Sequence, residues 1–110
     1  MENWTDWKAM PSSDNCRKIE GPKGAGVYQI RNIDTNVFIQ FGIGKECQKR
    51  MKSFFPAPYG TGQRNNAEKR QYIKDNWEHL EYRTWEIDTI EEARQIERKI
   101  KAQNNHLFNT

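Results

Sequence analysis

This sequence has few cysteines, and they are not clustered. Cys16 and Cys47 are the only two in 110 residues, and no short paired spacing links them. Zinc knuckles and disulfide frameworks require closely spaced cysteines in matched numbers. We therefore expect neither kind of site, and we expect both thiols to be reduced and structural.

Long apolar runs are also missing. No run approaches the roughly 20 residues that a membrane-spanning helix needs. The amino terminus, MENWTDWKAMPSSDN, lacks the basic-then-apolar order of a signal peptide. These absences lead us to expect a cytoplasmic protein with no membrane partner.

Acidic side chains are scarce between residues 45 and 74, where Glu46 and Glu68 are the only two. A charge run of this kind is as often a solvated face as a binding surface. If it is a binding surface, it suits phosphate, because clustered Lys and Arg side chains bind the backbone of nucleic acids. The basic side chains expected on such a surface are Lys45, Lys49, Lys52, Arg64, Lys69 and Arg70.

The length and composition indicate one folded domain. A chain of 110 residues holds one core and is too short for two ordinary domains. Four Trp and five Phe argue for a packed core, although 30% of the residues are charged. We predict that residues 1–23 form an irregular arm held by Trp4 and Trp7, and that residues 24–110 form the domain.

Apolar periodicity and turn residues predict the order strand, strand, helix, helix, strand, helix. Residues 24–31 and 36–42 are β-branched and aromatic runs separated by a polar turn, which is typical of a hairpin. Helices are predicted over 45–55 and 66–77, and a third strand over 79–88. The expected fold belongs to the α/β class, of the α+β kind. It is a small three-stranded antiparallel sheet flanked by helices.

The final helix, predicted over residues 89–103, is amphipathic. Thr89 followed three residues later by Glu92 has the spacing of a capping box. Glu97 lies inside the apolar stripe of this helix. The stripe itself consists of Ile90, Ala93, Ile96 and Ile100.

The carboxylate of Glu97 needs compensation, because an unpaired buried carboxylate costs several kcal/mol. It therefore requires a neighbouring cation or a wet cleft. A hard divalent ion meets both requirements, since Mg²⁺ keeps several waters and takes only one or two carboxylates from a protein. An ion pair with Arg50, Arg94 or Lys101 is the other solution that the residues leave open.

Several short motifs, taken with their order and spacing, resemble the GIY-YIG nuclease domain. GVY at 26–28 is similar to the first signature of that family, and QFG at 40–42 to the second, with Gln40 where the family usually has a tyrosine. Arg50 follows ten residues after Gln40, a spacing similar to that of the family's arginine. The resemblance covers residues 24–109. The last motif is matched by Glu92, Ala93, Glu97, Ile100 and Asn109.

The resemblance implies an endonuclease that hydrolyses DNA phosphodiester bonds with one divalent metal ion, Mg²⁺ or Mn²⁺. Glu97 would bind the metal, Tyr28 would accept the proton of the attacking water, and Arg50 would clamp the scissile phosphate. Gln40 would position the water by hydrogen bonding, because an amide has no ionisable proton. The residues that would support the site are Gly26, Gly42 and Asn109.

Two departures from the family pattern leave other functions open. Gln40 replaces a tyrosine, and Phe54 stands where the family often has a histidine or tyrosine. The groups that would have to compensate are Arg64, Lys45 and Tyr72. The first alternative is therefore a catalytically degenerate nucleic-acid-binding module of the same fold.

That binding module would use the basic segment and exposed aromatics such as Tyr59. The second alternative is a protein-interaction domain that docks through Trp4 and Trp7. No separate DNA-recognition domain is apparent in the sequence. Any specificity for a DNA site is therefore expected to come from dimerisation or from a protein partner.

Overall fold

The computed structural model describes residues 3–12, 15, 18–52 and 67–108. Its elements are β1 (Lys8–Ala9), β2 (Gly26–Asn32), β3 (Val37–Gly44), α1 (Cys47–Met51), α2 (Ala67–Asn76), a 3₁₀ turn (Trp77–His79), β4 (Leu80–Glu86) and α3 (Ile90–Gln103). After the arm, the predicted order of strands and helices is confirmed. The singled-out residues that lie outside the described ranges are Cys16, Phe54, Tyr59, Arg64 and Asn109.

The sheet has four antiparallel strands in the order β1-β4-β2-β3. The prediction of a three-stranded sheet is wrong, because part of the arm forms β1. Lys8–Ala9 contains no β-branched or aromatic residue, so nothing local in the sequence marks it as a strand. It is extended because it pairs with the edge of β4, beside which the Met10 amide donates to the Leu80 carbonyl oxygen at 3.0 Å.

The hairpin of β2 and β3 carries the central and the edge strand on which the candidate site lies, and one side chain shapes its turn. Oδ1 of Asn32 accepts hydrogen bonds from the backbone N–H groups of Asp34 and Thr35, at 3.0 and 3.2 Å. Asn36 then adopts a left-handed conformation with φ of 56°, which asparagine tolerates better than most residues. The register shifts by one residue between Arg31 and Ile30, and beyond this irregularity Tyr28 lies opposite Gly42.

Each face of the sheet carries its own core, because successive residues of a strand point to opposite faces. Helices α1 and α2 pack on the face of Tyr28, whereas α3 packs on the face of Val27. The first core consists of Met10, Ile19, Tyr28, Ile30, Ile39, Cys47, Met51, Ile73, Leu80 and Tyr82. The second consists of Val27, Phe41, Ala93 and Ile100.

Helix α3 begins where the capping-box spacing predicts. The side chain of Thr89 accepts a hydrogen bond from the Glu92 amide at 3.2 Å, and Asn104 ends the helix in a left-handed conformation with φ of 50°. The tryptophans hold the arm as predicted, since Trp4 packs edge-on against Trp85 with ring centroids 5.5 Å apart. In the described part of the chain, no helix is long and apolar enough to cross a membrane.

Candidate active site

The candidate site is built around Tyr28, whose side chain passes over Gly42 on the neighbouring strand. Tyr28 on β2 and Gly42 on β3 are direct partners in the ladder, and β3 is the edge strand of the sheet. A Cβ atom added at Gly42 would lie 2.3 Å from Oη of Tyr28. The phenol therefore passes over the edge strand through space that only glycine leaves free.

Arg50 meets this phenol from α1. Its guanidinium donates a hydrogen bond to Tyr28. Its stem packs against the end of β3, where a Cβ atom added at Gly44 would lie 3.0 Å from Cβ of Arg50. Arg50 itself is exposed. One side chain thus joins the buried phenol to the solvent.

The third group is Glu97 on α3, which comes from the opposite face of the sheet. Burial raises the pKa of the Tyr28 phenol to about 12, the positive charge of Arg50 opposes this rise, and the negative charge of Glu97 adds to it. Glu97 therefore lies within electrostatic reach of the phenol. The phenol is thus influenced by the charges of two residues, Arg50 and Glu97, that are distant from it in the sequence.

Glu97 is half-buried rather than sealed in the core. In the described ranges it forms no ion pair, so neither Arg50, Arg94 nor Lys101 compensates it in that way. Of the two solutions that the sequence leaves open, an ion pair within the described residues is not the one used. A half-buried carboxylate without an ion-pair partner is suited to binding a hard cation.

The donors present fit a magnesium-type ion better than a zinc-type ion. Among the described residues, no group of three or more His, Cys, Asp or Glu side chains could hold a metal. Zinc usually takes three or four such ligands, whereas Mg²⁺ keeps several waters and needs only one or two carboxylates. Glu97 alone satisfies the second requirement.

Gln40 lies on the same face of the sheet as Tyr28, two residues before Gly42 on β3. Its side chain is 4% exposed, and its Oε1 atom has no hydrogen-bond partner among the described residues. A buried acceptor without a donor costs about 1–3 kcal/mol. Gln40 therefore has an unused acceptor on the face of the sheet that carries Tyr28.

Lys69 on α2 joins the site, although the sequence predicts only a general basic surface for it. It is half-buried, and burial together with the positive charge of Arg50 lowers the pKa of its amine. The positive charge of Arg50 therefore acts on the amine of Lys69 as well as on the phenol of Tyr28. Residues 50 and 69 belong to different helices, and no periodicity in the sequence predicts that they meet.

The remaining basic residues differ in exposure. Lys45 and Lys49 are exposed, and Lys52 is half-buried. Lys49 also lies 3.6 Å from the carboxylate of Glu46, an exposed pair that contributes little stability. Arg70 is only 6% exposed and so does not belong to the open surface.

Gly26 supports the site by packing. A Cβ atom there would lie 2.9 Å from Cγ of Pro22 and 3.1 Å from the Trp85 carbonyl oxygen. Tyr72, by contrast, does not reach the phenol of Tyr28. Its hydroxyl accepts a hydrogen bond from Asn32 at the far end of β2, at 3.2 Å.

Comparisons of this chain with protein-family models, with curated proteins and with solved structures found no match.

Proposed function

We propose that this chain is a metal-dependent endonuclease of the GIY-YIG type that hydrolyses DNA phosphodiester bonds. The observation that carries the proposal is that Tyr28 passes closely over Gly42 and that the charges of Arg50 and Glu97 both act on its phenol. A phenol, a guanidinium and a carboxylate placed together can move a proton, hold a phosphate and bind a hard cation.

Arg50 is the phosphate clamp. Its planar guanidinium offers paired N–H donors to the nonbridging oxygens of the scissile phosphate, where negative charge increases during the attack of water. One of its donors already bonds to Tyr28, which fixes the side chain before the substrate arrives. Preorganisation of this kind reduces the entropy lost on binding.

Tyr28 is the candidate base. The mechanism therefore requires its phenol to be deprotonated before it can accept a proton from water. With a pKa of about 12 the free phenol is protonated at neutral pH. Its oxygen accepts from Arg50, so its own O–H is directed to another acceptor. Neutralisation of the Glu97 charge would remove one cause of the raised pKa and would bring the phenol closer to a base.

Mg²⁺ or Mn²⁺, bound by the carboxylate of Glu97, would supply positive charge to the scissile phosphate and to the attacking water. Gln40 would hold that water through its unpaired Oε1 atom, which needs a donor that water provides. Lys45, Lys49, Lys52 and Lys69 would contact the DNA backbone on the same side. The site thus has an assigned group for each requirement of hydrolysis.

The second candidate function is a nucleic-acid-binding module of the same fold that does not cut. The raised pKa of Tyr28 and the amide at Gln40 favour it, because neither group is a ready base at neutral pH. Binding by this module would still use Arg50 and the neighbouring lysines. Cleavage is what distinguishes the two functions.

The deciding experiment is a nicking assay on supercoiled plasmid with Mg²⁺, Mn²⁺ or EDTA. We expect metal-dependent nicking by the wild type, loss of at least about 100-fold in Glu97→Gln, and DNA binding retained in that variant. Glu91→Gln is the matched control, since Glu91 is exposed in the first turn of the same helix. Nicking by Glu97→Gln at the wild-type rate would refute the role of Glu97. If the wild type binds DNA but does not nick it, the endonuclease is refuted and the binding module is the function that remains.

A further inference from the structure

Helix α1, which carries Arg50, is too short to fix its own position. It has only five residues, Cys47–Met51, whereas isolated helices shorter than about 12–15 residues are marginal in water. Its N-cap residue, Glu46, forms no side-chain hydrogen bond with the first turn. The orientation of α1, and with it the direction of Arg50, must therefore be set by contacts with other parts of the chain.

The first N–H groups of α1 find their acceptors in the chain that leads into β2. The Cys47 amide donates to the carbonyl oxygen of Gly24 at 2.9 Å, and the Gln48 amide donates to the carbonyl oxygen of Pro22 at 2.8 Å. These N–H groups have no acceptor within a helix, so the two carbonyl oxygens replace the missing cap. We call residues 19–24, which hold the start of α1, the support segment.

The side chain of Gln48 adds a third hydrogen bond to the support segment. Its Nε2 atom donates to the carbonyl oxygen of Ile19 at 3.2 Å. Gln48 is half-buried, so water competes less for this bond than it would at an open surface. Ile19 is itself anchored, because it is 1% exposed in the core that contains Tyr28. The bond therefore connects α1 to a fixed part of the arm.

Gly21 lets the backbone of the support segment lie directly against α1. A Cβ atom added at Gly21 would lie 2.6 Å from Sδ of Met51 and 3.4 Å from Cα of Gln48. The segment is also held by the sheet, since the Glu20 amide donates to Oη of Tyr82 on β4 at 2.8 Å. The support segment is therefore a link between the sheet and α1.

Arg50 follows Gln48 by two residues and lies over the edge strand. A Cβ atom added at Gly44 would lie 3.0 Å from Cβ of Arg50. The Tyr28 phenol fills the corresponding space over Gly42, two residues earlier on β3. Because alternate residues of a strand face the same side, the stem of Arg50 and the phenol are neighbours on that side. A small rotation of α1 would move the guanidinium away from the phenol.

We propose that Gln48 is a positioning residue, which fastens α1 to the support segment and so places the guanidinium of Arg50 beside the Tyr28 phenol. Its side chain bonds to the arm, so it would act on the reaction only through α1. The inference rests on the proposed function, because it takes Arg50 as the phosphate clamp. It also gives residues 19–23 of the arm a role in the site, although the sequence predicts the arm and the domain as separate units.

The first test measures the guanidinium itself and needs neither DNA nor metal. The N–H signals of Arg50 in an NMR spectrum of nitrogen-labelled protein are identified by their loss in Arg50→Gln. We expect the N–H group that bonds to the phenol to exchange with water about tenfold faster in Gln48→Met, which keeps the length of the side chain and removes its donor. Gln95→Met, at an exposed position of α3, is the matched control and should leave this exchange unchanged. Equal rates in wild type and Gln48→Met would overturn the proposal.

Backbone amide exchange separates positioning from a general loss of stability. In Gln48→Met the Cys47 amide should exchange about tenfold faster, because α1 opens more often from the support segment. The amides of Val27 and Ile30, in the central strand β2, should keep their rates. If all three amides accelerate by the same factor, Gln48 supports the fold as a whole and the proposal is wrong.

The nicking assay shows whether this position matters to the reaction. At saturating DNA and Mg²⁺, Gln48→Met should lower kcat about tenfold with little change in KM, because a misplaced clamp weakens the transition state more than binding. An unchanged kcat would overturn the role of Gln48 in the reaction. Nicking that needs Glu97, together with unchanged exchange at Arg50, would refute the positioning role alone. Faster exchange at Arg50 in a protein that never nicks DNA would refute the endonuclease and support the placement of Arg50 by Gln48.

Discussion

Gly42 lies directly opposite Tyr28 in the β2–β3 ladder, and its missing side chain is the space that the phenol occupies. An added Cβ atom would lie 2.3 Å from Oη and 2.5 Å from Cζ of the ring. At such a distance, the ring of Tyr28 must move before any side chain can be added at position 42. The position of the phenol relative to Arg50 therefore depends on one glycine.

Gly42→Ala should destabilise the protein by about 1–3 kcal/mol, because the ring of Tyr28 must leave its well-packed position. Urea unfolding followed by circular dichroism would measure the change. Gly24→Ala is the matched control, since an added Cβ atom there meets nothing within 4 Å. That control should be neutral or stabilising by up to about 1 kcal/mol. Equal stabilities for the two variants would contradict the close contact.

The titration of Tyr28 should respond to both of its charged neighbours. Because the negative charge of Glu97 raises the pKa of the phenol, Glu97→Gln should lower it from about 12. Because Arg50 lowers that pKa, Arg50→Gln should raise it further. Absorbance of tyrosinate near ~295 nm against pH would measure both shifts, since the ionised phenol absorbs where the neutral one does not.

Four tyrosines contribute to that signal, so Tyr28→Phe supplies the spectrum to subtract. Glu91→Gln should leave the titration unchanged, because Glu91 is not among the charges that act on the phenol. A Tyr28 pKa that is the same in wild type, Glu97→Gln and Arg50→Gln would mean that the three groups do not meet. This test needs neither DNA nor metal.

Gln40→Leu should separate stability from function. Leucine removes a buried acceptor that has no donor among the described residues, so the free energy of unfolding should rise by about 1–2 kcal/mol. In the proposed nuclease the same change removes the hydrogen bond to the attacking water and should slow nicking at least about tenfold. Gln40→Tyr restores the pair of tyrosines usual in the family. The new ring must fit at a position where the glutamine is only 4% exposed.

A fall in both stability and nicking for Gln40→Leu would indicate that Gln40 is mainly a structural hydrogen-bond partner. Higher stability with unchanged nicking would show that the amide is not needed for the reaction. Nicking rates should be compared at equal folded fraction, measured by circular dichroism on the same samples. The assignment of Gln40 stands only if stability rises and nicking falls.

The sequence predicts the elements whose signals are local. The hairpin follows from two β-branched runs with a polar turn, and α3 from its apolar stripe and the cap at Thr89. Strand β1 is not predictable in this way, because two residues carry no periodicity and are extended only through pairing with β4. The error therefore lies where tertiary pairing, not local propensity, sets the conformation.

The residues of the candidate site also differ in whether a local signal in the sequence marks them. Glu97 is recognisable because a carboxylate in an apolar stripe requires an explanation, and the burial of Arg70 could have been found by the same reasoning from its spacing to Ile73 and Trp77. The approach of Lys69 to Arg50 has no such signal, since it depends on how two helices pack. Spacing motifs indicate which residues matter, whereas packing sets their electrostatics.

His106 should make the stability of the fold depend on pH. It is buried, its ring stacks on Phe38 with centroids 5.1 Å apart, and its Nε2 atom lies 3.1 Å from Nε2 of Gln29. Because Oε1 of Gln29 accepts from Arg83, the amide nitrogen must donate, so Nε2 of the imidazole accepts. Protonation would break this bond, and burial lowers the pKa of His106 to about 4.

An unfolded histidine titrates near ~6.5, so between about pH 4 and about pH 6.5 the unfolded chain binds more protons than the folded one. Stability should therefore be complete above about pH 6.5 and fall by about 1–2 kcal/mol as the pH approaches 4. Urea unfolding at intervals of pH would show this slope, and His106→Gln should reduce it. His79→Gln tests the other histidine of the chain, which is exposed and pairs with Asp34, so any slope that comes from that pair is measured separately. If the free energy of unfolding changes equally with pH in wild type and His106→Gln, the pH dependence comes from the carboxylates instead.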